Sequence, residues 1–551
     1  MAVPGRTDTV VVKAALPRDA ARSRLWRAAL AAGTLLAASC TSVGPDFQTP
    51  VSPLAPDWYE TEVAGFAVTA QQQQRWWELL GDPALNQLID LARQSNNTLE
   101  IAGLRVLEAR AQLALAAGAQ YPQSQVLTAS ASALGASENA ANTQAGDLRY
   151  TQYDSGTRVS WEIDFWGRFR RGVEAADAAY RGTVAAYDEA MIVLAAQVAS
   201  AYLAIRSRQE QLQITRDNIA SQQRSFDIVN VQFRNGNTSE LDVLQARALL
   251  LSTRAVVPVL EADLRRARHA LSALLGRPPG AVAALLDSAG GIPVVPERLA
   301  IGLPADLLRR RPDVRRAEFQ AMARNAQVGM STANLYPRFS LSGTLGLVAA
   351  GNTGTTLTGD SGGGALFDSD SLNYSAGVGM VWPFFNYGRI RNDIRVQDAR
   401  LQQALTGYRE TVIQAAREVE DALAALHGAR VQEGVLQESV AVSRRARDVA
   451  LLRFREGFAD YQRVLDAQQV LFSQQGRLVS NRSSIVGSFI ALYLALGGGW
   501  ETAAGAALVR PETRATMRRR SNWGDLIDRP AQSSATAAAH RPPTDSSGHT
   551  P

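Results

Sequence analysis

One offset runs through this chain and constrains its fold more than anything else. Trp161-Glu162-Ile163-Asp164-Phe165-Trp166-Gly167-Arg168 matches Trp382-Pro383-Phe384-Phe385-Asn386-Tyr387-Gly388-Arg389, and Gly388 less Gly167 is 221. The same 221 separates Tyr187 from Tyr408, Phe233-Arg234-Asn235-Gly236 from Phe454-Arg455-Glu456-Gly457, and Gly276 from Gly497. Upstream the offset is 215, from Tyr121-Pro122 to Tyr336-Pro337, so the second copy holds six more residues of loop. A constant offset over so many landmarks marks a tandem internal repeat. Each half reads helix, strand, loop, strand, very long helix, turn, helix.

The strand-to-helix junction sets the local structure. Val159, Trp161, Ile163 and Phe165 alternate with Ser160, Glu162 and Asp164, the period of a strand with one apolar face. Gly167 ends it. No proline occurs from Val173 to Phe233, and about 60 helical residues would extend ~90 Å. In the second half Phe339, Leu341, Leu345 and Leu347 alternate with Ser340, Ser342 and Thr344, and Tyr374, Ala376, Val378, Met380 and Trp382 form a fourth apolar row. Hairpins are expected at 122–166, around a polar loop from Gly135 to Gly146, and at 337–387, around a Gly/Thr/Ser-rich loop from Gly351 to Gly364.

Strands of about ten residues suit a tilted crossing of a bilayer. Trp161, Phe165, Trp382 and Phe384 stand at the helix-side strand ends, where an aromatic girdle belongs. Four strands cannot close a barrel, and lipid tolerates no open edge. Three copies would supply twelve. The alternative is a soluble hairpin pair packed on the helices; strand length and aromatic placement argue against it.

The long helices carry coiled-coil spacing. Tyr187, Met191, Leu194, Val198, Tyr202 and Ile205 step by three or four, and Leu212, Ile219, Phe226 and Phe233 by seven. Gly236 and Gly457 are the expected left-handed ends. Ser239-Glu240-Leu241-Asp242 resembles a capping box, and Asp460 is the expected cap of the matching helix. Pro258 should kink the first return helix. Asp82 and Pro83 open an earlier helix, with Leu85, Leu88, Ile89 and Leu91 as its stripe.

Composition narrows the class. Hydrophobic residues at 46% and charged residues at 20% exclude a wholly disordered chain. The net charge of +5 comes from arginine, since Lys13 is the sole lysine, and this leaves no lysine for a phosphate-binding P-loop. The basic tail at Arg518, Arg519 and Arg520 reads as solvated rather than as a nucleic-acid site. His269, His427, His540 and His549 do not cluster, so neither a metal centre nor a catalytic triad is indicated. Cys40 is the single cysteine and follows Arg22, Arg24, Arg27 and the short apolar run Ala28 to Ala38. This pattern is that of a cleavable signal. Leu35-Leu36-Ala37-Ala38-Ser39-Cys40 resembles a bacterial lipobox, with Ala37 where leucine is usual. Lipidation of Cys40 is the expectation, and an ordinary signal with an incidental cysteine the alternative.

These features together resemble the outer membrane factor family, the TolC-like exit ducts, and within it the NodT-type lipoproteins of resistance-nodulation-division (RND) efflux systems. The carrying motifs are Val43-Gly44-Pro45-Asp46-Phe47, Trp76-Trp77-Glu78-Leu79-Leu80-Gly81-Asp82-Pro83, Gly302 through Asp313 (GLPADLLRRRPD), Tyr336-Pro337 and Val464-Leu465-Asp466-Ala467. The resemblance covers Val43 to Trp500. It implies a mixed α/β membrane protein: a trimeric 12-strand transmembrane β-barrel continuous with a 12-helix periplasmic α-barrel. It also implies an outer-membrane location with a large periplasmic portion, a periplasmic membrane-fusion adaptor, an inner-membrane RND-type pump, and no catalysis or cofactor.

The organisation expected is a signal peptide at 1–39, a lipidated extended segment at 40–83, repeat 1 at 84–275, an equatorial linker at 276–303, repeat 2 at 304–500, and a disordered tail at 501–551. Functional charges are expected where the helix turns meet. The resemblance points to Asp466 as part of a periplasmic aperture. Asp242 is a second candidate, since Arg463 less 221 falls on it, and helix capping is its alternative role. Tyr461 and Arg463 are candidates for bonds that hold the tips shut. A rival class is a lipid-anchored periplasmic coiled-coil structural or adaptor protein. Within the duct class, drug efflux, metal efflux and protein secretion all remain open at this stage.

Overall fold

The computed structural model describes residues 42–50, 58–60, 74–137, 139, 149–282, 286, 290–297, 309–352, 365–500 and 507–529. The expected signal segment and Cys40 lie outside them. The chain divides into two units: 1–46, 115–174 and 325–398 form the first, and 47–114, 175–324 and 399–551 the second.

The first unit holds a four-stranded antiparallel sheet, β1 (Ser124–Gly135), β2 (Arg149–Ile163), β3 (Arg338–Asn352) and β4 (Leu372–Val381), in the order β1-β2-β3-β4. Register sorts its faces. Trp161 lies opposite Leu341 and Leu341 opposite Val378; Thr157 lies opposite Leu345 and Leu345 opposite Tyr374. That face is apolar, and Leu345, Tyr374, Val378 and Met380 are exposed on it. The other face pairs Ser160 with Ser342 and Thr344 with Ser375. It carries side-chain hydrogen bonds from Ser130 and Gln152 to Asp154, and one between Thr344 and Ser375. Gly156 faces Gly346 across β2 and β3, where a Cβ on Gly156 would come within 2.7 Å of the Gly346 Cα. Among the described residues β1 and β4 are each paired on one side only. The Val43-Gly44-Pro45-Asp46 motif has a local cause: Arg171, buried, donates to the Val43 and Gly44 carbonyls and to Asp46 at 2.8 Å.

The second unit is helical. Asp82 caps α1 (Pro83–Ser95) by accepting from the Ala84 and Leu85 N–H groups, and it also accepts from the Tyr202 hydroxyl. Trp76 and Trp77 are fully buried, with Trp76 stacked on Tyr493 at 5.8 Å and edge-on to Phe489. α2 (Asn97–Gly118) follows α1. Two pairs of helices then match in length and spacing: α3 (Arg168–Arg234) with α6 (Arg389–Arg455), 67 residues each, and α4 (Glu240–Leu274) with α7 (Tyr461–Ala495), 35 each. Every boundary in these pairs is displaced by 221. Their ends are held alike. Asn96 donates to the Leu274 carbonyl, and Arg311, at the start of α5 (Pro312–Ala333), donates to the Ala495 carbonyl. Arg311 less Asn96 is 215 and Ala495 less Leu274 is 221. Arg311 is buried and paired with Asp313 and Glu418, each at 2.8 Å, which gives the arginine-rich motif its structural reason. Pro258 lies within α4, and the helix runs through it.

Three expectations are corrected. Asp460 is at the N-cap of α7, but its side chain accepts no capping hydrogen bond; it pairs with Arg463 at 3.6 Å instead. The tail is not wholly disordered: Pro511–Arg520 form α8. Arg510 and Thr513 bind Glu100, and buried Arg110 donates to the Leu526 and Arg529 carbonyls at 2.7 Å. Composition missed this segment because docking on α2, not periodicity, orders it. Finally, the seven-residue row does not form the buried seam of distal α3. Ile219 and Phe226 are half-buried and Phe233 is exposed, while Thr215, Asn218, Gln222, Ser225 and Val229 are buried.

Candidate functional site

The helix tips bring four helices of the second unit together. α3 and α6 each end in a left-handed glycine, Gly236 at φ 75° and Gly457 at φ 78°. The Asn237 N–H reaches back to the Gln232 carbonyl and the Phe458 N–H to that of Arg453, so both turns satisfy the free carbonyls in the same way. A small apolar core joins Val229 of α3, Ala246 of α4, Phe454 of α6, and Tyr461, Val464 and Leu465 of α7.

Within the single chain the four expected aperture residues have different surroundings. Tyr461 is 1% exposed and sits edge-on to Phe454 at 5.2 Å. Burial, with Asp242 adding to it, pushes its hydroxyl up to about 12, so the ring is a neutral packing element. Asp242 completes the capping box: it accepts from the Ser239 N–H at 3.0 Å, the Ser239 hydroxyl at 2.7 Å and the Thr238 hydroxyl at 2.6 Å. Burial raises its pKa, but these bonds outweigh burial and hold the carboxyl below its ordinary value. The cap therefore contributes fully above the ordinary carboxylate value and is lost as pH falls through the lower folded value. Asp466 is exposed and accepts from Gln462 at 2.8 Å on its own helix. Arg463 is exposed and pairs with Asp460.

The two tips thus differ in strength. Ser239→Ala should cost about 1 kcal/mol and speed amide exchange in the first turn of α4 by roughly fivefold. Asp460→Ala should change exchange in α7 by less than about twofold, since no cap is lost. Hydrogen exchange of the purified protein reads both, and equal effects would contradict the assignment.

Beyond the tip core, the seam between helices is polar. Gln468 donates to Ser225 at 2.7 Å, Asn218 to Gln475 at 2.8 Å, and Arg447 to Ser221 at 3.2 Å. Further along, Arg482 of α7 bridges Glu210 of α3 and Glu433 of α6. These residues escaped the sequence reading because it followed apolar spacing. The signal was the alternative phase, Leu212, Thr215, Asn218, Gln222, Ser225, Val229, which steps by three and four. Exposed Phe458 and Leu241 at the tips were missed as well.

The expected aromatic girdle belongs to the first unit. Trp161 and Phe165 are half-buried, with Trp161 Nε1 donating to the Gln120 carbonyl and Phe165 packed on Phe339. Trp382 and Phe384 are exposed. By length and composition, α3, α4 and α7 are also apolar enough to cross a membrane, although most of the apolar stretch of α3 is buried inside the protein. Among the described residues no group of three or more His, Cys, Asp or Glu is placed to hold a metal.

Comparison with known proteins bears on both units. The family description "Outer membrane efflux protein" matches residues 88–277 and again 303–498. The chain is 31% identical over 480 residues to nodulation protein T of Rhizobium leguminosarum bv. viciae, covering 86% of this chain and 94% of the relative. It is 32% identical over 442 residues to the pyoverdine export outer membrane protein OpmQ of Pseudomonas putida, covering 78% and 89%. Among solved structures it is similar to the outer-membrane channel OprN, with TM-score 0.77, 32% identity, and coverage of 84% of this chain and 100% of that one. The crystal structures of CusC give TM-score 0.70 at 28% identity, covering 83% and 100%. On this evidence the chain belongs to the outer membrane efflux protein family.

Proposed function

We propose that this chain is the outer-membrane exit duct of a tripartite efflux system, which passively conducts drugs or other small molecules from periplasm to exterior. The observation that carries the reading is the sheet, with one apolar face, one polar face and two edges paired on one side only. Such a sheet is complete in lipid only when further copies extend it around a polar lumen. Three copies give twelve strands. They also give twelve helices, four from each copy, and α4 and α6 carry exposed apolar residues that a neighbouring copy would cover: Leu244, Leu251 and Val259 on one, Val431, Val435 and Val442 on the other. The matched helix lengths, and the family match in each half, support a tandem duplication. Membrane contact is assigned to the strands, and α3, α4, α6 and α7 to the periplasm.

The duct would be opened at its helix tips by a periplasmic adaptor and coupled through it to an inner-membrane RND-type pump. Lipidation of Cys40 would add an anchor, in line with a relative named a probable outer membrane lipoprotein, SilC of Salmonella typhimurium. Relatives are named for pyoverdine export, cation efflux and toluene efflux, so cargo varies among similar chains and would be chosen by the pump. Purified full-length protein should run as a heat-modifiable trimer and give discrete conductance steps in a planar bilayer. A monomer that needs detergent for extraction yet is silent in the bilayer would overturn this reading in favour of a lipid-anchored periplasmic coiled-coil protein.

A further inference from the structure

The four strands carry five charged residues: Arg149, Asp154, Arg158 and Glu162 on β2, and Arg338 on β3. Directly opposed residues of an antiparallel pair share a face, and faces alternate along each strand. Arg158 lies opposite Thr344 and Thr344 opposite Ser375, and those two hydroxyls are bonded to each other, so Arg158 stands on the polar face. Asp154 lies opposite Ser130, and Glu162 opposite Ser340, on the same face. Arg338, two residues before Ser340 and opposite Val381, shares it. Arg149, opposite Gly135 at the other end of β2, has the parity of the apolar face.

The charges of the polar face are not equally engaged. Glu162 is paired with Arg168 at 3.0 Å. Asp154 accepts from neutral groups, the Ser130 hydroxyl at 3.4 Å and the Gln152 amide at 2.9 Å, so no cation offsets it. Among the described residues neither the Arg158 nor the Arg338 side chain has a hydrogen-bond or ion-pair partner, and both are exposed. Asp154 and Arg158 are four residues apart, about 13 Å along an extended strand, and form no ion pair. At the start of β3, Arg338 lines a cavity of about 370 Å³ with Arg389 and Asp393, so guanidinium groups outnumber carboxylates there as well. Asp393 accepts from the Ser331 hydroxyl at 2.8 Å.

The strands therefore present two unpaired guanidinium groups and one unpaired carboxylate on a face otherwise made of neutral side chains. A guanidinium keeps its charge at any working pH. Fixed charge on the wall of a pore draws in ions of opposite sign, the more so between walls of low dielectric. We propose that Arg158 and Arg338 give the lumen of the barrel a preference for anions, so that small anionic solutes pass it more readily than cations of the same size. The proposal rests on the reading of the polar face as the lumen of a trimeric duct. In that trimer each arginine is presented three times, at two levels about 20 Å apart along the strands. The preference must fade with salt, because the Debye length falls from about 30 Å at 0.01 M to about 8 Å at 0.15 M.

The test is the reversal potential of the purified full-length protein in a planar bilayer of neutral lipid, under a potassium chloride gradient. The unaltered trimer should pass chloride over potassium by about threefold near 0.01 M salt, and by less than about 1.5-fold near 0.15 M. Arg158→Gln with Arg338→Gln should remove that preference. Asp154→Asn should raise it to about fivefold, and it reads the same lumen from the opposite sign should the glutamine variant fail to insert. Arg158→Lys with Arg338→Lys retains the charge and should retain the preference. Reversal potentials that coincide in the unaltered chain and all variants would overturn the assignment. A preference lost equally in the lysine and glutamine variants would give the arginines a packing role instead. An unaltered chain silent in the bilayer would sink the functional reading itself; a conducting trimer indifferent to these substitutions sinks the anion preference alone.

Discussion

A chain carrying Leu251→Glu and Val435→Glu should fail to trimerise. Leu251 of α4 is 51% exposed and Val435 of α6 is 65% exposed in the single chain. Each belongs to a row at coiled-coil spacing: Leu244, Leu251 and Val259 on α4, Val431, Val435 and Val442 on α6. Elsewhere these helices are already engaged. α3 binds α4 through Arg216 and Glu261, and α7 binds α6 through Arg482 and Glu433. An isolated chain has no use for further apolar rows, whereas a closed ring of copies would bury them. Burying one such side chain contributes about 1.5–3 kcal/mol, and a closed trimer repeats each contact three times. Replacing it with a carboxylate removes that term and adds a desolvation cost. Crosslinking in membranes should then stop at one copy, where the proposed trimer of the unaltered chain should give a ladder ending at three. Arg444→Gln, an exposed position on another side of α6, should leave the ladder intact. A double variant that still crosslinks to three would move the interface away from these helices.

Much of this fold could be read from particular residues. Gly236 and Gly457 announced the turns because a left-handed helix end favours glycine. The strands declared themselves because a sheet with one apolar and one polar face writes a period of two into the chain. The first long helix announced itself as a proline-free run from Val173 to Phe233. The buried seam of distal α3 did not, because Thr215, Asn218, Gln222 and Ser225 look like solvent-facing residues until neighbouring helices supply partners such as Gln468 and Gln475. α8 was hidden for a related reason: its segment is ordered by Glu100 and Arg110, about 400 residues earlier in the chain. At the tip, position was legible and orientation was not. Spacing placed Asp242, Tyr461, Arg463 and Asp466 near the turns, but a stretch of helix-start sequence does not say which side chain turns inward. Tyr461 packs in the tip core, Asp242 folds back on its cap, and Arg463 joins Asp460.

That difference in orientation separates the two aspartates in function. Asp466→Ala should relieve block of the duct by divalent cations about tenfold, and Asp242→Ala should leave the block nearly unchanged. Asp466 is exposed and meets only Gln462 of its own helix in the bonds of the tip, so its charge is available to the surroundings. In the proposed trimer it is presented three times around one axis. A divalent cation about 5 Å from three carboxylates gains a few kcal/mol even at the dielectric of water, before salt screening. Loss of about 1.4 kcal/mol of that is a tenfold change in blocking concentration. Asp242 spends its carboxylate on three local donors. Its removal should act through the lost cap, at about 1 kcal/mol, as noisier gating and easier opening rather than as weaker cation binding. Single-channel recordings of the two variants, titrated with magnesium, distinguish these effects. Block that survives Asp466→Ala, or that vanishes in Asp242→Ala alone, would remove Asp466 from the aperture and leave Arg463 and exposed Phe458 as the tip residues to test next.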